Sequence, residues 1–304
     1  MLAISTSWNY KPDNDIKAWL CQVKDLGIDA IEINYSITKE HLDQLYGFVK
    51  ELNIKVVSVH NFCPVPDDEI SPRHNSNYYR LSSLDEDERQ KAVCWTKNTI
   101  DTAKKFDCPV VVLHAGDVDI DQDIRSKYLF DLYMDGKFKT EEFEQEKSRI
   151  LKIRKDKSPE HIKALDKSFE VVCDYAKSQG IKIGLETRYY PLEIPNFDEI
   201  GYFLSRFNSK GMYYWHDLGH AEMNERLGIF SQKEALDAYK DKLIGVHIHG
   251  MKKRRDHKAP FVGDMNIGSI IHYFDDSVMK VIETHQSSYE EMKEAVERLK
   301  SEDK

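Results

Sequence analysis

The sequence lacks the features that mark membrane and exported proteins. No apolar run in its 304 residues is long enough to cross a bilayer. The N-terminal segment MLAISTSWNY has neither the basic start nor the apolar centre of a secretory signal. The five cysteines form no Cys-x-x-Cys pair, and an odd number without an export signal indicates reduced thiols. We therefore expect a cytoplasmic protein.

Positive charge is also in short supply. The chain has 44 Lys and Arg against 53 Asp and Glu, so its formal net charge is −9. Proteins whose main partner is a nucleic acid need a basic surface for phosphate contacts, and the acidic balance disfavours that class. The basic stretch KKRRDHK at 252–258 is a local exception, which we interpret as a solvated turn.

No Gly-x-Gly-x-x-Gly turn follows the first predicted strand, which argues against a nucleotide-binding doubly wound sheet. Instead, amphipathic helices alternate with short apolar strands. The predicted strands cover 2–6, 29–35, 55–60, 108–114, 181–186, 212–217, 243–249 and 278–283. Strands that are apolar almost throughout indicate a parallel sheet covered on both faces. Eight such units favour α/β architecture, with 1–304 forming a single (β/α)8 TIM barrel; an open doubly wound sheet is the alternative.

The connections of this barrel are predicted to be helical, with two long exceptions. The predicted helices cover 13–27, 39–52, 84–106, 159–179, 196–207, 231–241, 266–275 and 287–300. The helix at 159–179 is expected to begin at Pro159, after Ser158 as N-cap. The long connections, 61–83 and 117–157, follow strands 3 and 4 and therefore lie on the active-site face. We interpret 61–83 as a loop that covers the substrate. The insertion 117–157 is either a lid or subunit contact, or a solvated helical segment.

Ionisable residues recur where these strands end, at the barrel mouth that carries the active site in such enzymes. They are His60, His114, Glu186, Asp217, His247, His249 and Glu283. A buried carboxylate is costly unless it is paired, hydrogen-bonded or bound to a cation. Oxygen and imidazole ligands suit Mn²⁺, Mg²⁺, Co²⁺ or Zn²⁺. The pattern predicts a divalent metal site at the mouth.

Each residue also has a purely structural alternative. A single histidine at a strand end, such as His60 or His114, is commonly a hydrogen-bonded structural residue, and Asp217 could simply cap the next helix. Glu186 and Glu283 are harder to explain in this way, because Glu is depleted from buried strands. His247 and His249 lie on the same face of their strand, with His249 nearer the mouth.

Four motifs resemble the xylose-isomerase-like barrel superfamily, which contains sugar isomerases, sugar epimerases and endonuclease IV. They are GLE at 184–186, HDLGH at 216–220, VHIH at 246–249 and VIE at 281–283. In its ketose 3-epimerases, one metal is held by Glu, Asp, His and Glu from strands 5 to 8. Carried over, the resemblance implies these metal ligands, with His247 as the alternative on strand 7: Glu186, Asp217, His249 and Glu283.

The resemblance further implies a metal-dependent isomerase or epimerase that acts on a small carbohydrate. Glu186 and Glu283 would act as acid and base on opposite faces of the substrate, through a metal-stabilised enediolate. The implied substrate-binding residues are His220, His60, His114, His247, Arg188, His257 and Trp8, with Glu193 and Arg255 as weaker candidates. Trp8 could stack on a sugar ring or pack in the core. A sugar dehydratase or lyase and a non-catalytic metal-binding barrel are further alternatives.

Endonuclease IV represents the main competing function, a zinc-dependent hydrolase at abasic sites in DNA. Its three zinc ions use additional ligands that correspond here to His60, His114, His220 and a pair from Asp256 and His257. Two departures weaken this reading. Strand 7 of endonuclease IV ends in His-Leu-Asn-Asp, whereas this chain has His-Ile-His-Gly, and its later Asp-x-His pair is here an adjacent Asp-His. We expect one metal, a small sugar or sugar-like substrate, no nucleic acid or membrane partner, and leave homo-oligomerisation open.

Overall fold

Eight parallel strands close into a barrel in the computed structural model of the chain, which describes residues 1–302 except 12, 14, 68–77 and 121–125. The barrel strands are β1 (Leu2–Ser5), β2 (Ala30–Ile33), β3 (Lys55–His60), β4 (Val110–Leu113), β6 (Lys182–Glu186), β8 (Met212–Asp217), β9 (Leu243–Ile248) and β12 (Met279–Ile282). Four short strands lie outside it, β5 (Gly116–Asp117), β7 (Glu193–Ile194), β10 (Gly250–Lys252) and β11 (Arg255–Lys258). The predicted (β/α)8 barrel is confirmed.

The order of strands around the barrel is β1-β12-β9-β8-β6-β4-β3-β2, so neighbours in sequence are neighbours in the barrel and β1 closes it against β12. The register brings strand ends to one level. Asp217 at the end of β8 lies opposite His247 in β9. The barrel interior and the layer between strands and helices are packed with buried aliphatic and aromatic side chains.

The helices cover the outside of the barrel. They are α1 (Ile16–Asp25), α2 (Lys39–Glu51), α3 (Glu86–Lys105), α4 (Lys127–Met134), α5 (Glu141–Gln179), α6 (Phe197–Phe207), α7 (Leu218–Arg226), α8 (Gln232–Tyr239) and α9 (Tyr289–Glu302). Most of them, though not α4, begin at a polar side chain that accepts from the first turn, because the first backbone N–H groups of a helix need acceptors. Asn196 and Glu199 form a reciprocal capping box at the start of α6. Among these described helices, none combines the length and apolarity needed to span a membrane.

Helix α5 is longer than the sequence predicted. It has 39 residues and begins after Thr140, so the predicted start at Pro159 is wrong. A proline inside a helix removes one backbone hydrogen bond and crowds the preceding turn. Here the buried face continues through the proline, from Ile150 to Ser158 and on to Leu165. We attribute the continuous helix to this packing, which outweighs the local cost.

Two further segments differ from the predictions. The predicted helix at 266–275 consists of two 3-10 turns, Ile267–Ser269 and Ile271–Tyr273, because its β-branched residues and glycine are poor helix formers. The basic stretch at 252–258 is part of an antiparallel hairpin of β10 and β11, not only a turn. The predicted substrate-covering loop at 61–83 lies partly outside the described residues.

Candidate active site

The predicted strand-end residues converge on the barrel mouth and are almost entirely removed from solvent. Glu186, Asp217, His247 and His249 are each 0% exposed, and Glu283 is 3% exposed. His60 ends β3, Glu186 ends β6 and Asp217 ends β8, so the parallel strands bring these side chains to the same level. Within the described part of the chain, three compact groups of possible ligands form there.

The central group contains Glu186, Asp217, His247 and Glu283, each with one donor atom within 4.8 Å of the others. Nδ1 of His247 lies 2.7 Å from Glu186 Oε1, 3.0 Å from Glu283 Oε2 and 3.6 Å from Asp217 Oδ2. Burial favours a neutral ring, yet Glu283 and the other carboxylates raise the pKa of His247 well above its ordinary value. Three carboxylates around one nitrogen thus require a positive charge, which a divalent cation would also supply.

The second group contains His60, His114 and Glu186. Nε2 of His60 lies 3.6 Å from Glu186 Oε2, and Nε2 of His114 touches the same oxygen without hydrogen-bond geometry. Burial and the nearby Arg188 lower the pKa of His114 to about 3, so its ring is neutral. Neither ring nitrogen of His114 has a hydrogen-bond partner among the described residues. Buried lone pairs without a donor fit a cation between these side chains.

The third group contains Asp217, His220 and His257. His257 lies in β11 with φ 52°, a left-handed conformation that a residue other than glycine rarely adopts. Its ring is 3.5 Å from Glu283 and 3.3 Å from Asp256. Burial opposes a charged ring, but the nearby carboxylates of Asp256 and Glu283 raise the pKa of His257 well above its ordinary value.

Several histidines at the mouth have one nitrogen fixed from behind. His60 Nδ1 donates to the Asn61 carbonyl at 3.0 Å, His220 Nδ1 donates to the Thr187 carbonyl at 2.9 Å, and His247 Nε2 lies 3.0 Å from a Glu32 carboxylate oxygen. Because those oxygens can only accept, each rear nitrogen carries a hydrogen and the other nitrogen faces the mouth. Metal-binding histidines are usually held in this way.

Both glutamates of the site are ionised. Burial disfavours the charge on Glu186, but the hydrogen bond and the positive charge of the His247 ring hold its pKa well below the ordinary value. The pKa of Glu283 is lowered in the same way, against burial, by His247 and His257. Arg188 supports Glu186 from the side, with Nη1 at 3.1 Å, and its Nη2 lies 2.6 Å from Glu193. The arrangement provides two carboxylates in the form that accepts a proton.

A cavity of about 190 Å³ opens above these groups. Of the predicted residues, it is lined by His60, His114, Glu186, Arg188, Glu193, His220, Asp256, His257 and Glu283. Its wall includes Phe130 of α4, which stacks on Tyr189 with ring centroids 5.7 Å apart. The insertion at 117–157 therefore contributes to the cavity through α4. Among the described lining residues, the hairpin supplies Arg254 and not Arg255.

Asp217, His247 and His249 lie beneath that lining, fully buried. Trp8 lies apart from it, in the hydrophobic core. It is 1% exposed, is tilted against Trp19 and donates its indole N–H to the Ser287 carbonyl at 2.9 Å. This position matches the packing alternative for Trp8.

The sequence reasoning missed Glu32, Tyr35, Phe130, Tyr189, Tyr190, Arg254 and His285. Glu32 could have been identified as a candidate from the sequence, because it is a glutamate inside an apolar strand. The aromatic residues and Arg254 could not be identified from the sequence, since their positions depend on how the loops fold over the mouth.

The profile of the xylose isomerase-like TIM barrel family matches residues 20–302. The chain belongs to this family. A search of curated protein sequences found no match. Solved structures of similar fold include 3-keto-D-glucoside 4-epimerase from Escherichia coli, with TM-score 0.69, 12% identity and coverage of 99% of this chain and 98% of that one. D-psicose 3-epimerase with D-tagatose, from Clostridium cellulolyticum, has TM-score 0.67, 14% identity and coverage of 100% and 99%. The IolI protein with a bound zinc atom has TM-score 0.62, 16% identity and coverage of 99% and 95%. At these identities the likeness shows the fold.

Proposed function

We propose that this family member is a divalent-metal-dependent isomerase or epimerase that acts on a small carbohydrate. The observation that carries the proposal is the central group of Glu186, Asp217, His247 and Glu283 beneath a small, partly polar cavity. The geometry supports His247 over His249 as the imidazole ligand, because Nδ1 of His247 faces all three carboxylates. The expected ligands are therefore Glu186, Asp217, His247 and Glu283.

A divalent cation held by this group would supply Lewis acidity toward a substrate carbonyl. The protein supplies the proton transfers. Glu186 and Glu283 come from β6 and β12, two strands that are separated by β8 and β9 in the barrel. One carboxylate removes the proton next to the carbonyl, and the other takes up a proton from water and delivers it to the opposite face.

The cavity also has groups suited to sugar oxygens. Nε2 of His220 faces the mouth because Nδ1 is bound to the Thr187 carbonyl. Burial and the nearby Glu283 raise the pKa of Tyr35 to about 12, so its phenol keeps its proton and can donate to a substrate oxygen. The fold neighbours that are sugar epimerases, one of them solved with D-tagatose, support a sugar substrate.

Proton exchange tests this proposal directly. The metal-loaded protein is incubated with a panel of ketoses in D₂O, and NMR follows deuterium entry next to the carbonyl. We expect exchange with at least one sugar, loss of it in Glu186→Gln and Glu283→Gln, and retention in Glu290→Gln, an exposed glutamate in α9. No exchange by fully loaded protein on any member of the panel would count against an epimerase or isomerase. A product that has lost water would indicate the dehydratase or lyase alternative.

A zinc-dependent endonuclease is the second candidate, and one observation favours it. The groups of His60, His114 and Glu186 and of Asp217, His220 and His257 could hold two additional ions. The net charge of −9 and the cavity wall built by Phe130 of α4 oppose a DNA duplex at the mouth. Three zinc ions per chain together with cleavage of an abasic duplex would establish this function.

A further inference from the structure

We infer that His249 is a positioning residue: it fixes the carboxylate of Asp217 toward the metal site and connects it to the β10–β11 hairpin. The inference rests on the proposed metal-dependent function. It concerns the histidine that the sequence motif implied as a ligand, and it gives that residue a different task.

Both ring nitrogens of His249 have hydrogen-bond partners. Nδ1 lies 2.9 Å from the backbone nitrogen of His257. A backbone N–H can only donate, so Nδ1 is an acceptor and the ring hydrogen sits on Nε2. The Gly250 carbonyl, 3.4 Å from Nδ1, is a weaker alternative partner that would require the other tautomer. This differs from His247, whose rear nitrogen faces Glu32 and whose front nitrogen faces the carboxylates.

The hydrogen on Nε2 points at Asp217. Nε2 lies 3.0 Å from Oδ1 and 3.1 Å from Oδ2, so it is shared between the two oxygens and sets the rotation of the carboxylate. Oδ1 also accepts the backbone N–H of His220 at 2.7 Å. The oxygen left with fewer donors, Oδ2, lies 3.6 Å from Nδ1 of His247 and faces the central group. Carboxylates that bind metals are usually oriented by hydrogen bonds of this kind from neighbouring protein groups.

The space that the His249 ring occupies depends on a glycine. A Cβ at Gly219 would overlap Cε1 of that ring and would lie 2.8 Å from Nδ1. The HDLGH motif thus supplies Asp217 and also the glycine that makes room for the ring behind it. The ring of His257 stacks on the His249 ring, with centroids 4.3 Å apart and planes 11° apart.

The same contacts reach the hairpin. His257 has φ 52°, and its N–H donates to His249 Nδ1. His257 is also a member of the third ligand group, with Asp217 and His220. Loss of the His249 ring would therefore free the Asp217 carboxylate and release the backbone of His257 together.

Cobalt binding separates positioning from ligation. Co²⁺ affinity is measured by chelator competition at one equivalent, and the visible spectrum of the bound Co²⁺ reports the ligands. The variants are His249→Gln, whose amide nitrogen replaces Nε2, His249→Asn and His249→Ala, which cannot reach Asp217, and His247→Gln. We expect His249→Asn and His249→Ala to bind about 10–100-fold more weakly, with the wild-type spectrum at saturation. His249→Gln should bind at least about tenfold more tightly than His249→Ala. His247→Gln should lose or alter the spectrum.

A spectrum altered by His249→Gln as by His247→Gln would make His249 a ligand and overturn the inference. Wild-type affinity in His249→Asn, or no recovery in His249→Gln, would overturn it as well. Gly219→Ala fills the space of the His249 ring without changing an ionisable group. It should lower Co²⁺ affinity as much as His249→Ala does, and unchanged affinity would contradict the geometry. Circular dichroism verifies the fold of each variant. Because the readout is metal binding, a protein that binds Co²⁺ as expected but exchanges no sugar proton would refute the proposed function alone.

Discussion

A carboxylate oxygen of Glu32 lies 3.0 Å from Nε2 of His247, on the side of the ring away from the three site carboxylates. Ser58 donates its hydroxyl to the same oxygen at 2.7 Å. A carboxylate oxygen accepts hydrogen bonds, so this contact places an imidazole hydrogen on Nε2 and directs Nδ1 to the ligand group. A fully buried glutamate of β2 thus orients a histidine of β9 toward the carboxylates of Glu186, Asp217 and Glu283.

Removal of this support should weaken the metal site without removing a ligand. We expect Glu32→Ala to lower metal affinity roughly 10–100-fold, because the ring loses its orienting carboxylate. Glu32→Gln should have a smaller effect, since its amide oxygen can still accept from Nε2. Isothermal titration calorimetry with Mn²⁺ measures both variants, and Glu51→Gln on the exposed face of α2 is the control. Wild-type affinity in Glu32→Ala would show that Glu32 has no such role.

The sequence was sufficient for the barrel and for much of its mouth, for a physical reason. Apolar parallel strands repeat with helices, and their C-terminal ends must meet at one level, so Glu186, Asp217 and Glu283 could be grouped from their positions alone. The choice between His247 and His249 could not be made in this way. Both share a strand face, and their roles depend on Glu32 and on the backbone of His257, which lie on other elements.

The remaining differences come from tertiary packing. The start of α5 could not be read from Pro159, because the buried face that carries the helix through the proline is a property of the folded chain. Phe130 could not be assigned to the cavity, since the insertion that carries it had no pattern that fixes its position over the mouth. Local signals thus described the elements, and long-range contacts decided the details of the site.

The cavity wall should control substrate affinity. Phe130 is 3% exposed and stacks on Tyr189. We expect Phe130→Ala to raise KM about tenfold, because the substrate loses an apolar wall, with metal content unchanged. Tyr128→Ala is the matched control, an aromatic residue of the same helix that is 48% exposed. An unchanged KM in Phe130→Ala would show that α4 does not contact the substrate.

Trp8 should contribute to stability and not to substrate binding. Its indole donates to the Ser287 carbonyl and its ring is buried against Trp19. We expect Trp8→Phe to lower the free energy of unfolding by about 1–3 kcal/mol, since the indole hydrogen bond is lost and the smaller ring leaves part of the buried site unfilled. Urea denaturation measures this loss, and kcat/KM should stay at the wild-type value. A raised KM with unchanged stability would favour the alternative in which Trp8 stacks on the sugar.

The cysteines should differ sharply in reactivity. Burial raises the pKa of Cys108 and of Cys173 to about 12, and it raises the pKa of Cys63 as well. These thiols stay protonated at pH 8, so they should not react with a disulfide reagent, whereas the exposed Cys21 and Cys94 should. Five thiols should react after denaturation. Fast labelling of Cys63 in the native protein would contradict its buried position.

The raised pKa values of the buried thiols make the free energy of unfolding depend on pH. The folded-state pKa of these thiols lies above the unfolded value, so the unfolded chain releases protons first as the solution becomes alkaline. Their contribution is therefore fully present below about pH 8 and is lost as pH rises from about 9 toward 12. Thermal unfolding between pH 8 and 10 should show a falling Tm in the wild type. A smaller fall in Cys173→Ala would assign part of it to that thiol, and an equal fall would not.

Metal content per chain tests the central claim most directly. The protein is purified without added metal or chelator and analysed by plasma mass spectrometry, beside Glu186→Gln and the exposed control Glu290→Gln. We predict close to one Mn, Co, Mg or Zn per wild-type chain, retained in the control and lost in Glu186→Gln. A folded wild-type protein that holds no divalent metal, and takes none up on addition, would contradict the account.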